Sequence, residues 1–260
     1  MPTVQDVESV LYELAPKELA MEWDNVGLLI GHPEQEVTKV LTALDVTENV
    51  ADEAVRMGAN LIVAHHPVMN CAWNKVQTIR NDTLQGRLFL KLIENNIAAI
   101  CMHTNLDRAA GGVNDVLAAR LGLEHVEKLP GGDDILRVGE LPGTMALPSF
   151  LRWVKAALSP NGIRFVNAGK DVRRVAVGGG ACGDFWQAAA DFGCDTLVTS
   201  DLKYNQFLDA RAAGLTVIDA GHFPTEDIVC PVAAEYLRVK FPGLAVEKSA
   251  AHREVIQYFV

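Results

Sequence analysis

The chain alternates short, largely apolar runs with longer amphipathic stretches. The runs LTAL, LIVA, VAV and TLV are typical of strands buried on both faces of a parallel sheet. The amphipathic stretches between them stop at Gly58 and Gly193, and glycine is the residue that most often ends a helix. The pattern therefore predicts an α/β fold made of strand–helix–strand units with mainly parallel sheets.

This pattern occurs twice along the chain. The segment Lys39–His66 aligns without gaps on Arg174–Asp201 at a constant offset of 135 residues. Two unrelated units of one type could share such a pattern by chance, but the gapless alignment favours duplication. We expect two similar lobes, residues 1–125 and 126–260, joined near the turn-rich LPGGDD sequence. A C-terminal segment can cross back to the first lobe.

The elements before each copy are also alike. Each copy is preceded by a predicted helix and a short predicted strand. They span Val4–Leu14 and Val26–Ile30 in the first lobe, and Pro148–Leu158 and Ile163–Val166 in the second.

Composition and charge narrow the class of protein. The 260 residues are 49% apolar and carry a net charge of −10, whereas nucleic-acid binders usually present a basic surface. We therefore do not expect a nucleic-acid partner. The longest uninterrupted apolar run, Ile97–Met102, has six residues, and a membrane-spanning helix needs about twenty, so we expect no membrane segment.

The cysteines and the first residues indicate a cytoplasmic location. Ten residues, MPTVQDVESV, lack the basic start and apolar run of a secretory signal. The cysteines are widely spaced, without a CxxC pair, which favours free thiols in a reducing compartment. They are Cys71, Cys101, Cys182, Cys194 and Cys230.

Polar residues with metal-ligand chemistry follow four of the predicted strands. In parallel α/β sheets, ligands bind at the carboxyl ends of the strands. The residues concerned are His65 and His66 after LIVA, His103 and Asp107 after IAAICM, Ser200 and Asp201 after TLVT, and His222 and Glu226 after LTVID.

The combination of these strand ends favours a metal site in a cleft. Each histidine alone has an ordinary structural explanation, such as a local hydrogen-bonded pair. Adjacent histidines such as His65 and His66 point to opposite faces of a strand, which suits two metal ions better than one. Imidazole and carboxylate are ligands for zinc, iron, manganese, cobalt or nickel. His32, His125 and His252 lack such a context, and we expect them at the surface.

Five ordered motifs resemble one known family. The strings EWDNVGLLIG, IVAHHPVM, HTNLDRAAGGVND, TSDLKYN and GHFPTE together resemble the Nif-three-like dinuclear metal centre proteins, also called the GTP cyclohydrolase I type 2 family. The resemblance implies two similar α/β lobes, assembled into a toroidal homohexamer. At this length the chain is similar to the compact members, which lack a domain inserted between the lobes.

The resemblance also implies a ligand set for two divalent metal ions. Glu226 would bridge the two ions, and His103 would lie close to them as a candidate catalytic residue. Asn205 stands where the family often has a histidine after the tyrosine of its DLKY motif. The implied metal ligands are His65, His66, Asp107, His222 and Glu226.

The implied activity is that of a metal-dependent hydrolase acting on a nucleotide. A metal-activated water would open the imidazole ring of GTP, with His103 or Asp107 moving protons and Lys203 or Arg108 near the phosphates. Two alternatives stay open at this point. One is a non-enzymatic metal-binding adaptor or metal-handling ring protein, and the other is a two-metal phosphoesterase.

Overall fold

The computed structural model describes residues 1–69 and 76–259, so Cys71 lies outside the described residues. No helix among those residues is long and apolar enough to cross a membrane. The helices are α1 (Val4–Leu14), α2 (Glu48–Met57), α3 (Leu84–Glu94), α4 (Thr104–Arg108), α5 (Val113–Arg120), α6 (Leu147–Leu158), α7 (Trp186–Asp191), α8 (Tyr204–Ala212), α9 (His222–Glu226) and α10 (Cys230–Lys240). The strands are β1 (Gly27–Ile30), β2 (Lys39–Ala43), β3 (Leu61–Ala64), β4 (Ala98–Cys101), β5 (Glu124–Lys128), β6 (Arg137–Met145), β7 (Arg164–Val166), β8 (Val172–Val177), β9 (Thr196–Thr199), β10 (Thr216–Asp219) and β11 (Ala245–Lys248).

The first of two compact units comprises residues 1–110 and 229–253. Its sheet has the order β1-β4-β3-β2-β11. Strands β4, β3, β2 and β11 are parallel, and β1 pairs antiparallel with β4 at one edge. The central strands β3 and β4 are buried along their whole length, which explains why their sequences are continuous apolar runs rather than alternating ones.

The second unit comprises residues 111–228 and 254–260. Its sheet has the order β5-β6-β8-β9-β10-β7. Strands β8, β9 and β10 are parallel, whereas β7, β6 and β5 join it in antiparallel pairs. The core beside this sheet includes Phe150 and Val154 of α6, both fully buried.

The two sheets share a strand order and a register. The order β1-β4-β3-β2 in the first unit corresponds to β7-β10-β9-β8 in the second. Val40 lies opposite Leu61, and Val175 lies opposite Thr196, so both pairs are related by the offset seen in the sequence. The α/β fold with two duplicated lobes is confirmed.

The units are divided at positions other than residue 125. Residues 111–125 contain α5, which contacts β5, β6 and β8, and all three strands belong to the second sheet. Residues 229–253 contain α10 and β11, and β11 extends the first sheet by pairing parallel with β2. The boundary between the two units therefore follows the pairing of the strands in each sheet and not the position of the LPGGDD turn.

Helix α2 shows how local sequence produces the repeat. Thr47 caps it, since its hydroxyl accepts a hydrogen bond from the Val50 N–H at 3.2 Å. Gly58 ends it in the left-handed conformation with φ of 66°, which glycine adopts without the Cβ penalty. Val50 and Ala54 face the core of the first unit, so the next strand, β3, returns beside β2.

Candidate metal centre

Three histidines gather at the strand ends of the first unit, and we call them the histidine cluster: His65, His66 and His103. The first two follow β3, and His103 follows the neighbouring parallel strand β4. The ring centroids are 5.1 Å apart for His65 and His66, 5.2 Å for His65 and His103, and 5.6 Å for His66 and His103. One ring nitrogen of each lies within 4.8 Å of the other two, so the cluster can direct its donors at a common region.

Every histidine of the cluster has its Nδ1 against an oxygen. A carbonyl or an ionised carboxylate oxygen can only accept a hydrogen bond, so Nδ1 must carry the proton. In a neutral ring Nε2 then holds the lone pair that a metal ion needs. The acceptors are Met102 O for His65 at 2.8 Å, Asp45 Oδ1 for His66 at 2.8 Å and Asp24 Oδ1 for His103 at 2.9 Å.

Asp24 is held as a carboxylate. Its Oδ2 accepts hydrogen bonds from the N–H of Thr104 at 3.0 Å and from the hydroxyl of Thr104 at 2.5 Å. Burial on its own would raise the pKa of Asp24, but the hydrogen bond and charge of His103 and the bonds from Thr104 outweigh it and lower that pKa to about 2. Asp24 is therefore a permanent acceptor for His103 at neutral pH.

Asp107 adds a carboxylate to the first unit. It lies on α4 and is 8% exposed. Its Oδ1 is 3.5 Å from Nε2 of His65, which is long for a hydrogen bond. A buried carboxylate that faces the lone-pair nitrogen of a histidine is a donor pair of the kind that divalent transition metals take.

The second unit presents a histidine between two carboxylates. His222 Nδ1 is 2.7 Å from Asp201 Oδ2, and His222 Nε2 is 2.9 Å from Glu226 Oε2. Burial would lower the pKa of His222, but the hydrogen bonds and charges of Asp201 and Glu226 raise it to about 11. The bond from His222 in turn lowers the pKa of Asp201. Since metal ligands must be deprotonated, a cation held by His222 and Glu226 would replace the proton between them.

Gly180 makes room for this pair. It adopts φ of 62° in the turn after β8. A Cβ at this position would overlap Oε1 of Glu226 and would lie 3.1 Å from Nε2 of His222. Only glycine suits both the backbone conformation and the space, so the glycine-rich turn after β8 shapes the His222–Glu226 site.

The structure places the predicted site residues in two sets. The first set is the histidine cluster with Asp107, and the second is His222 with Glu226. The convergence of the five predicted ligands on one dinuclear site stays a prediction. The chemistry of each set, imidazole nitrogen with carboxylate oxygen, fits a divalent transition metal. Asn205 is exposed on α8.

One surface prediction is wrong. His32 and His125 are exposed, as expected. The side chain of His252 is only 9% exposed, and its Nε2 lies 3.0 Å from Asp45 Oδ2. The prediction was wrong because β11, which leads to His252, adds to the first sheet next to β2, a pairing between positions more than 200 residues apart.

Sequence reasoning missed the role of the three aspartates that hold histidine rings, and it placed only Asp201 among the strand-end residues. Asp24 lies in the EWDNVG motif, Asp45 follows a buried strand, and Asp201 follows TLVT. A polar residue directly after a buried strand is the signal that singled out Asp201, and the same signal could have found Asp45. Asp24 lies in a loop ahead of β1, and its distance from His103 along the chain hides the pairing.

Comparison with known proteins gives a consistent set of matches. A model of the Duf34/NIF3 (NGG1p interacting factor 3) family matches residues 2–254. A Clostridium perfringens protein named GTP cyclohydrolase 1 type 2 homolog is 36% identical over 229 residues, which are 86% of each chain. A Lactococcus lactis protein of the same name is 34% identical over 91% of this chain and 92% of its own. The crystal structure of a Bacillus cereus protein related to NIF3 has a TM-score of 0.90 at 27% identity, covering 100% of this chain and 99% of that one.

Proposed function

The chain belongs to the Duf34/NIF3 family, and on that premise we propose that it is a dinuclear metal-binding protein acting as a metal-dependent hydrolase on a nucleotide. Family membership confirms the resemblance inferred from the five motifs. In this proposal the two sets of donors serve one centre for two divalent ions. The ligands are His65, His66 and Asp107 of the first unit, with His222 and Glu226 of the second.

One observation supports the proposal above all others. Each of the four strand-end histidines has Nδ1 within 2.9 Å of a carbonyl or carboxylate oxygen. Histidines that bind metals almost always donate the other ring N–H to such an acceptor, which fixes the tautomer and the ring orientation. Any buried imidazole N–H needs an acceptor, so one such bond is not diagnostic. Its occurrence in all three proposed histidine ligands, His65, His66 and His222, supports metal binding.

The residues of the chain have separable roles in this function. Two divalent cations held there would supply Lewis-acid activation of a water molecule. Glu226, with two carboxylate oxygens, is the residue suited to bridging them. His103 is kept with its lone pair on Nε2, so it is suited to accept a proton from the reacting group. Asp24 would stabilise the positive charge that His103 then acquires, as its lowered pKa of about 2 indicates.

The nucleotide substrate is taken from the relatives. The names of the Clostridium and Lactococcus proteins point to GTP cyclohydrolase chemistry, in which water opens the imidazole ring of GTP. For this chain that substrate is part of the proposal, together with the cytoplasmic location and the homohexameric ring implied by the motifs. Light scattering at micromolar protein concentration gives the oligomeric state. A monomer at that concentration would contradict the homohexameric ring.

The decisive experiment is a nucleotide screen of metal-reconstituted protein. Wild type and His66→Ala are loaded in turn with zinc, iron, manganese, cobalt and nickel, and assayed with a nucleotide panel for ring opening and phosphate release. Ring opening of GTP that His66→Ala abolishes would support the proposal. Phosphate release alone would replace it with a two-metal phosphoesterase, and full metal loading without turnover would favour the metal-binding adaptor.

A further inference from the structure

A line of hydrogen bonds links the last strand of the first unit to His66. β11 lies beside β2 in parallel, so both strands end at the sheet edge where β3 ends. Asp45 follows β2, and its Oδ1 lies 2.8 Å from Nδ1 of His66. His252 follows β11, and its Nε2 lies 3.0 Å from the other oxygen of the same carboxylate. Asp45 therefore accepts hydrogen bonds from two imidazoles, one of them a proposed metal ligand.

The backbone around His252 is fixed by hydrogen bonds. The Ser249 N–H donates to Thr42 O at 2.8 Å, and the His252 N–H donates to Ser249 Oγ at 3.1 Å. These bonds tie the segment after β11 to β2 and set the direction in which His252 leaves the backbone. The His252 side chain therefore has a defined position rather than that of a loose terminal loop.

Glu53 of α2 anchors the same segment. Its carboxylate accepts hydrogen bonds from the N–H of Ala250 at 3.1 Å, the N–H of Ala251 at 3.2 Å and the hydroxyl of Ser249 at 2.5 Å. Glu53 is 6% exposed, and a buried carboxylate is tolerated only where such bonds satisfy it. The segment 249–252 is thus held in one geometry relative to Asp45.

Asp45 needs this support because it is not buried. Its side chain is 42% exposed, against 22% for His66 and 9% for His252. An exposed aspartate with one partner can rotate and exchange that partner for water, whereas bonds at both oxygens fix the plane of the carboxylate. The proton of His66 is then kept on Nδ1.

We infer that His252 is a positioning residue for His66. Through Asp45 it holds the ring of His66 in the tautomer whose Nε2 lone pair can bind a metal ion. The inference rests on the proposed function in one respect, that His66 is a metal ligand. His252 itself contacts neither substrate nor metal in this assignment, and its effect passes through one carboxylate.

The test combines the tautomer of His66 with metal affinity. Long-range proton–nitrogen NMR on the metal-free protein, at a pH where the ring is neutral, reports which nitrogen of His66 carries the proton. Competition with a chelator reports zinc affinity. The variants are His252→Ala, His252→Gln, Asp45→Ala and the double variant that combines Asp45→Ala with His252→Ala. His32→Ala is an exposed control in the same unit.

Four results are expected. His252→Ala gives a mixture of His66 tautomers and weakens zinc binding about tenfold or more, the usual cost of losing an outer partner of a metal ligand. His252→Gln restores both, because its amide N–H can donate to Asp45. Asp45→Ala has a larger effect, and adding His252→Ala to it changes nothing further, because the two act in series. His32→Ala matches wild type.

Two results would overturn the inference. One is a wild-type tautomer and zinc affinity in His252→Ala while Asp45→Ala changes both. The other is a His252→Ala protein that is less stable to urea but unchanged in both readouts, which would make His252 a structural anchor only. Failure of the proposed function looks different: His66→Ala would then bind zinc as tightly as wild type, while the tautomer measurement would still test the role of His252.

Discussion

The two units use the same strand end for different purposes. After the second strand of the repeat, the first unit has His65-His66, and the second unit has Ser200-Asp201 at the matching positions. His66 belongs to the histidine cluster, whereas Asp201 holds Nδ1 of His222 at 2.7 Å. Duplication has kept the backbone of the edge and changed what its residues do, so a proposed metal-ligand position in one unit is a ring-orienting position in the other.

The two units also differ after the next strand, β4 in the first unit and β10 in the second. A helix follows each of these strands, but it begins at a different position. His222 is the first residue of α9 and Glu226 is the last, so the two side chains lie on one face, one turn apart. His103 precedes α4, with φ of −110° and ψ of −108°, and its ring bonds Asp24 instead of Asp107. The same spacing of histidine and carboxylate therefore gives a direct pair in one unit and two separate donors in the other.

The two units differ again after the first strand of the repeat, which is β2 in the first unit and β8 in the second. Asp45 and Gly180 occupy matching positions at the offset of 135 residues. Asp45 uses its side chain to hold His66 at 2.8 Å, whereas Gly180 has none, and that leaves space for Glu226. One position of the repeat thus orients a proposed ligand in the first unit and accommodates a proposed ligand in the second.

The largest effect is expected from Glu226→Gln, because the amide loses the charge and one of the two anionic oxygens needed for a bridge. Metal affinity should fall by about a hundredfold or more, beyond the 10–100-fold cost of losing an outer partner. Mass spectrometry of metal content in wild type, Glu226→Gln and the exposed control His125→Ala measures it. Equal metal content in wild type and Glu226→Gln would rule out the bridging role.

Gly180→Ala tests the difference between Asp45 and Gly180. Gly180 and Gly193 have φ of 62° and 78°, so an alanine at either position should cost about 1–2 kcal/mol of stability. At Gly193 a Cβ would meet nothing within 4 Å, whereas at Gly180 it would displace Glu226. We expect a larger loss in urea unfolding for Gly180→Ala than for Gly193→Ala, since the overlap with Glu226 adds to the backbone cost, and a loss of metal affinity only for Gly180→Ala. Equal metal affinity in the two variants would contradict the role of Gly180.

Much of the fold was predictable from sequence because its signals are local. Buried parallel strands are continuous apolar runs, and the residues that follow them meet at one edge whatever the loops do. His65, His66 and His103 could therefore be grouped from their positions in the sequence. The predicted helix Val4–Leu14 matches α1, and the predicted helix Pro148–Leu158 differs from α6 by one residue at its start.

The residues that orient the histidines could not be predicted in the same way. Asp24 meets His103 across 79 positions of the chain, and His252 meets Asp45 across 207. Such contacts depend on which strand joins which edge of the sheet, and apolar periodicity does not encode that choice. The one-residue difference in the start of α4 and α9 was hidden for a related reason, since helix ends are set by local hydrogen bonds finer than the spacing of apolar residues.

Asp201→Asn and Asp24→Asn test whether His222 and His103, which follow corresponding strands of the two units, have different roles. In the proposed centre His222 is a ligand and His103 is not. Asp201→Asn should therefore weaken metal binding 10–100-fold, within the range for an outer partner, whereas Asp24→Asn should leave metal affinity unchanged and lower turnover. Chelator competition and steady-state assays on both variants measure this. A loss of metal affinity in Asp24→Asn as large as in Asp201→Asn would make His103 a ligand.

The smallest effect is expected from changing Glu53, whose carboxylate anchors the segment 249–252. The second unit has Ala188 at the matching position and so lacks this carboxylate. Burial would raise the pKa of Glu53, but the hydrogen bonds from Ser249, Ala251 and Ala250 outweigh it and lower that pKa from its usual value. Glu53 therefore contributes stability above its unfolded pKa of about 4.3, and that contribution is lost as the pH falls through the lower folded pKa. Glu53→Gln should cost about 1–3 kcal/mol near neutral pH.

The control for this change is Glu48→Gln on the same helix, since Glu48 makes an exposed ion pair with Arg87 at 3.1 Å and should cost no more than about 0.5 kcal/mol. Urea unfolding of wild type and both variants, at about pH 7 and then at successively lower pH, gives the stability differences. The gap between wild type and Glu53→Gln should narrow as the pH falls below about 4, because wild type then loses the ionised form that accepts the three hydrogen bonds. The stability difference between wild type and Glu53→Gln could instead stay constant or widen on acidification. That result would show that the packing of the Glu53 side chain, and not its charge, holds the segment.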